Sequence, residues 1–104
     1  MVKGWFILSD FLFEWDVKKN TLNYKKHGVT FLEASTVFDD ENYILKHDDE
    51  HAEGDEDRYK AIGFSSDPRL LLVCHCYRMD DTVIRIISAR RATAAERSEY
   101  NGGQ

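Results

Sequence analysis

The chain has 104 residues, a formal net charge of −5 and 42% apolar residues. That length builds one domain, residues 1–104, around a single core. One proline, six glycines and 32% charged residues exclude collagen-like, membrane-spanning and wholly disordered classes. Residues 48–57 carry seven acids and no Lys or Arg, while the remainder is slightly cationic. The negative total therefore does not argue against a polyanionic partner.

The apolar run Trp5–Leu8 is too short for a signal peptide, and no window approaches the roughly 18 apolar residues of a membrane span. The expected compartment is the cytoplasm, with no membrane partner. Residues 1–10 are an N-terminal extension, either an extra strand or a tail.

Phe11, Phe13 and Trp15 alternate with Leu12 and Glu14, which predicts a strand. Asp16 is a good N-cap for a helix over Val17–His27, and Gly28 is placed to end it. Thr30 and Glu33 form a capping box for a second helix, with Phe31, Ala34, Val37 and Phe38 as its apolar stripe. Asp39 and Asp40 stop it.

A short strand follows at Tyr43–Lys46. The acidic block 48–57 has no periodicity and strong self-repulsion, so an extended, solvated loop is expected. Strands are predicted over Arg58–Phe64, Arg69–Arg78 and Thr82–Arg90, joined by turns at Ser65–Pro68 and Met79–Asp81. Thr93 and Glu96 cap a last helix to about Tyr100, and residues 101–104 read as a frayed tail. The fold class is α+β: an antiparallel β-meander with two helices before it and one after.

Pairing Arg78 with Thr82 across the last hairpin sets His75 opposite Arg85, with Val73, Tyr77, Val83 and Ile87 on that same face. Leu72, Cys74, Cys76, Ile84 and Ile86 would then form the core face. A one-residue shift would scramble this arrangement. An Arg between two isoleucines calls for a partner. Arg85 is either ion-paired with an acid such as Glu14 or Asp40, or a phosphate-binding group on an open face. Guanidinium suits phosphate because it donates two parallel hydrogen bonds and keeps its charge.

Lys19, Asn23 and Lys26 share one face of the first helix, with His27 at its edge. They form either a contact strip for a partner, or a solvated face whose amide caps a loop. Cys74 and Cys76 share a strand face and His75 points away, so the three cannot converge on a metal; free thiols are expected. From Asp49 the EF-hand spacing fails, because Lys60 stands where the last ligand belongs. Metal sites using His47 or His51 are weaker alternatives to a solvated loop.

Phe13-Glu14-Trp15-Asp16, Lys19, Asn23 and Lys26-His27-Gly28-Val29 resemble the opening of the BrnT toxin family. The resemblance continues through Val37-Phe38-Asp39-Asp40, Asp57-Arg58-Tyr59 and Ile62-Gly63. It ends with Arg78, Arg85-Ile86-Ile87-Ser88-Ala89-Arg90, Ala92-Thr93, Glu96-Arg97 and Tyr100, so that it covers about residues 11–100. It implies a RelE-like fold, cleavage of RNA, arrest of translation, and a ribbon-helix-helix antitoxin partner. The expected assembly is a 2:2 complex that binds operator DNA through the antitoxin.

Metal-independent RNA cleavage uses the substrate's 2′-hydroxyl as nucleophile. It needs cations on the phosphate and a proton acceptor and donor. Arg58, Arg85 and Arg90 are the expected phosphate binders, Arg78 a further transition-state charge, and His75 the candidate acid or base. Lys19, Asn23, Lys26, His27 and Arg91 are the expected contacts to RNA or antitoxin. No cofactor and no metal are expected. The competing readings are a metal-dependent nuclease and a non-catalytic RelE-like module that docks a DNA-binding regulator.

Overall fold

A computed structural model describes residues 3–8, 11–51 and 56–102, with backbone only for residues 3–8 and 51. The remainder of the expected extension, the middle of the acidic block and the last two tail residues lie outside the described residues. Strands β1 (Lys3–Leu8) and β2 (Phe11–Asp16) lead into helices α1 (Val17–His27) and α2 (Phe31–Ser35). A 3₁₀ turn (Thr36–Asp39), strand β3 (Ile44–His47) and a second 3₁₀ turn (Asp49–His51) follow. Strands β4 (Tyr59–Phe64), β5 (Leu70–Arg78) and β6 (Val83–Arg91) precede helix α3 (Ala94–Gly102).

The six strands form one sheet in the order β1-β2-β6-β5-β4-β3. β3 to β6 make the expected antiparallel meander. The sheet is nevertheless mixed, because β2 lies parallel to β6 over Leu12–Glu14 and Val83–Arg85. Within the extension, β1 is an antiparallel edge strand on β2. Residues 101 and 102 continue α3 instead of fraying.

The ends of α1 follow from its caps. Asp16 accepts from the Lys18 and Lys19 amides, and Gly28 takes the left-handed conformation (φ 70°). Thr30 caps α2 by accepting from the Glu33 amide, but the expected reciprocal bond is not made. Glu33 instead binds the Arg69 guanidinium and the Ser65 hydroxyl, tying α2 to the turn before β5. The box on α3 is complete: Glu96 accepts from the Thr93 amide and Thr93 from the Glu96 amide.

Two cores result. Under α1 and α2, Phe13, Trp15, Phe31, Val37, Phe38, Val73, Ile84 and Ile86 pack on one sheet face. On the opposite face, Tyr100 of α3 packs with Ile62, Leu70 and Leu72. Gly63 is required by close approach, since a Cβ there would lie 2.8 Å from Tyr43 Cβ.

The β5–β6 register differs from expectation by one residue. Arg78 pairs with Val83, Tyr77 with Ile84, Cys76 with Arg85 and His75 with Ile86. The connection has four residues, with Met79, Asp80 and Asp81 all at positive φ, and is closed by Thr82 N–H donating to Met79 O (3.2 Å). An irregularity at Cys74/His75 then brings Cys74 opposite Ser88. The expected grouping of His75 with Arg85 is therefore corrected: His75 shares the helix-covered face with Ile84 and Ile86, and Arg85 the other face with Cys76.

Asn23 is the only buried residue of α1. Its Nδ2 donates to Val29 O (2.9 Å) and Ala89 O (2.8 Å), and its Oδ1 accepts from Ala89 N–H (3.1 Å). β2 has left β6 by this point, so one amide side chain completes the strand edge that a neighbour would otherwise pair. Asn23 therefore does not face RNA or antitoxin, and the loop-capping alternative describes it. Asn23→Ala should lower unfolding stability by about 2–4 kcal/mol, measured by urea denaturation, because three buried backbone groups lose their partner.

Candidate nucleic-acid interface and active site

One row of side chains crosses the sheet on the face away from α1 and α2. Glu14 on β2 is level with Arg85 on β6, and Arg85 with Cys76 on β5. The register of β4 on β5 extends this row to Arg58, one residue before Tyr59. Asp48 N–H donates to Arg58 O (2.7 Å), so Asp48 ends the row. Arg78 stands two residues beyond Cys76 on the same face, with its Nε 3.3 Å from Glu14 Oε1. Strand spacing places the Arg85 and Arg58 backbones about 10 Å apart, with Cys76 between them.

α3 covers the other end of this face and is pinned there by three contacts. Arg90 makes a two-pronged bond to Glu96 (2.8 and 2.9 Å), Lys46 pairs with Glu99 (2.7 Å), and Tyr100 donates to Asp40 (2.8 Å). Asp40 also accepts from the Phe64 and Asn42 amides, so it is the anchor of α3. Glu14, not Asp40, is the acid beside Arg85. α3 stops short of the row.

The charges of the row are held by their neighbours. Glu14 is 2% exposed, whereas the Arg78 side chain is 40% exposed. Glu14 thus sits beneath Arg78, with which it pairs, and beside Arg85 on the neighbouring strand. Burial pushes the Cys76 thiol up to about 11, with the Glu56 carboxylate adding to the effect. Cys76 is therefore a neutral floor and not a nucleophile. Asp48, Arg58, Cys74, Ile87 and Ser88 line a small cleft of about 150 Å³ beside it.

Of the expected catalytic residues, Arg58, Arg78 and Arg85 converge. Arg90 lies on the same face, but its guanidinium is engaged by Glu96 and by the Arg91 carbonyl. His75 is fully buried in the opposite core, with its ring edge-on to Phe38 at 4.9 Å. Its Nδ1 lies 3.2 Å from Val73 O, which only accepts, so Nδ1 carries the proton and Nε2 accepts from Tyr77 Oη (3.3 Å). Burial drives its pKa down to about 4, so His75 is a neutral core residue and not an acid or base facing RNA.

Lys19 and Lys26 are exposed and His27 half-buried on α1, across the sheet from the arginine row. Arg91 is exposed at the end of β6. These residues do not join Arg85. The two ends of the acidic block, by contrast, do. The β3–β4 pairing brings the two described ends of the block together, so Asp48 and Glu56 both border Arg58. The expectation of an extended, solvated loop is corrected at these two ends.

His47, weighed in the sequence only as a metal ligand, lies between Asp49 (2.5 Å) and Asp57 (3.2 Å). The Asp57 hydrogen bond raises its pKa, with Asp49 adding to the effect. Among the described residues no group of three or more His, Cys, Asp or Glu side chains is arranged to hold a metal ion. No helix among them is long and apolar enough to cross a membrane.

The fold and this row define a small α+β domain with a cluster of arginines on a half-covered sheet. Residues 15–96 match the family described as the ribonuclease toxin, BrnT, of type II toxin–antitoxin systems. The chain belongs to that family, whose members imply an RNA substrate and an antitoxin partner. It is similar in fold to the Brucella abortus ribonuclease toxin BrnT, whose crystal structure at 1.1 Å shares 22% sequence identity. That match has a TM-score of 0.55 and covers 76% of this chain and 92% of the other. Among curated proteins, none matches.

The Arg90–Glu96 pair carries a pH signature. The Arg90 hydrogen bonds lower the Glu96 carboxyl from 4.5 to about 2. A lowered acid stabilises the fold above its unfolded value and loses that contribution as pH falls through the folded one. Wild type should therefore lose stability between about pH 4.5 and 2, and Arg90→Gln should flatten that limb in melting temperatures followed against pH. His75→Gln should destabilise the core but leave the rate of RNA cleavage within a few-fold of wild type, as read in a gel assay.

Proposed function

We propose that this chain is a metal-independent endoribonuclease with a RelE-like fold, which arrests translation in the bacterial cytoplasm. The observation that carries this reading is the convergence of Arg58, Arg78 and Arg85 on the half of the sheet that α3 leaves open. Arg85 and Arg58 flank the position of the scissile phosphate, with the neutral Cys76 between them. Arg78 supplies further positive charge where the pentacoordinate phosphorane gains negative charge.

A ribbon-helix-helix antitoxin neutralises the enzyme by covering the arginine-bearing face, in a 2:2 complex that binds operator DNA through the antitoxin. α1 presents Lys18, Lys19, Lys25 and Lys26 and no acid. Lys19, Lys26 and His27 lie across the sheet from the row, so they serve antitoxin contact better than contact with the cleaved phosphate. Arg91 stays with this second group.

Purified protein incubated with single-stranded RNA in excess EDTA should cut it. Arg85→Ala should reduce the rate by about 10²–10³-fold, the usual loss for one charge-stabilising group, while the melting temperature holds. Loss of cleavage in EDTA that zinc or magnesium restores would replace this mechanism with a metal-dependent one. RNA left intact, together with harmless expression, would leave the non-catalytic docking module.

A further inference from the structure

The ribonuclease reading needs a group to take the 2′-hydroxyl proton, and the inference below rests on that reading. His75 is sealed in the opposite core. Arginine does not give up its proton, and Cys76 is 1% exposed. Three carboxylates border the row. Glu14 and Asp48 are 2% and 3% exposed, whereas the Glu56 side chain is 39% exposed. Glu56 Oε1 lies 3.8 Å from Arg58 Nε. The Glu56 carboxylate also lies beside the Cys76 thiol, whose deprotonation it opposes, and Cys76 forms the floor between Arg58 and Arg85. The carboxylate thus reaches the spot where a phosphate bridging the two arginines would sit, and it opens to the solvent side from which RNA arrives.

We propose that Glu56 is the general base. Its carboxylate accepts the 2′-hydroxyl proton as the 2′-oxygen forms a bond to phosphorus. The bond from phosphorus to the 5′-oxygen breaks, and that oxygen takes a proton from water. The products are a 2′,3′-cyclic phosphate and a 5′-hydroxyl, and the proton on Glu56 returns to the hydroxide left behind. Arg58 faces the carboxylate, and Arg58, Arg78 and Arg85 carry the phosphate's charge.

The test follows cleavage of an end-labelled single-stranded RNA oligonucleotide across the acid and neutral range for wild type, Glu56→Gln and Glu56→Asp. Glu56→Gln keeps the shape and removes the base. It should lose about 10²–10³-fold in kcat, leave KM unraised, and flatten the acid limb of the wild-type profile. Glu56→Asp should keep the limb at a reduced rate. Cleavage by Glu56→Gln that is unchanged or faster, as when the carboxylate only competes with phosphate for the arginines, overturns the assignment. A slower rate that keeps the acid limb overturns it as well. A wild-type chain that leaves the oligonucleotide intact overturns the ribonuclease reading itself, and the assignment with it.

Discussion

The register of the β5–β6 hairpin decides which side chains can act together. A four-residue turn sets Cys76 opposite Arg85 and His75 opposite Ile86. Strand side chains alternate with a period of two, so a slip by one residue moves every group to the other face. Such a slip would press Arg85 against Phe38 and expose two isoleucines to water. The apolar demand of the α1–α2 core holds the register against that. The turn accommodates it with three residues at positive φ, two of them Asp, which tolerates that region better than most. The parallel contact with β2 then adds Glu14 beside Arg85 without any further adjustment.

Each helix carries a polar anchor, set beside apolar packing in α2 and α3. α1 buries one residue, Asn23, and that residue pairs with the backbone of β6. α2 is tied through Glu33 to Arg69, and α3 through Glu96 to Arg90 and through Tyr100 to Asp40. Each anchor has a fixed bonding geometry, whereas apolar contacts allow sliding. The position of α3 matters most, because its end defines how much of the sheet stays open. Arg90 is thus a positioning group, and its charge is spent on the helix. Arg58, Arg78 and Arg85 remain at the open end.

Much of this was legible in the sequence, and the reasons are local. Asp16 and Gly28 bound α1 because caps act within a few residues of their own backbone. Thr93 and Glu96 are reciprocal for the same reason. Arg85 stood out because a charge between two isoleucines of a strand is uncommon, and Arg58 and Arg78 as cations on or beside the same meander. What escaped was long-range. Glu33 serves Arg69, 36 residues away, instead of its own helix. The hairpin register depends on turn conformation, which Met79-Asp80-Asp81 does not specify, and His75 followed Arg85 to the wrong face as a result. The parallel β2–β6 pair joins residues about 70 apart, and no local pattern announces it.

The acidic block is the instructive case. In sequence it is a self-repelling run, best solvated. In space its ends are brought together by the β3–β4 pairing, and Asp48 and Glu56 border Arg58. With Glu14 included, three carboxylates meet three guanidinium groups, so the site carries little net charge. Long-range attraction of RNA therefore contributes little, and a strongly cationic funnel is absent from this end of the sheet among the described residues. Such a site gains from the order its acids impose. Glu14 holds Arg78 in an ion pair, and on the proposed ribonuclease reading a donor already in place costs no reorganisation when charge develops on the phosphorane.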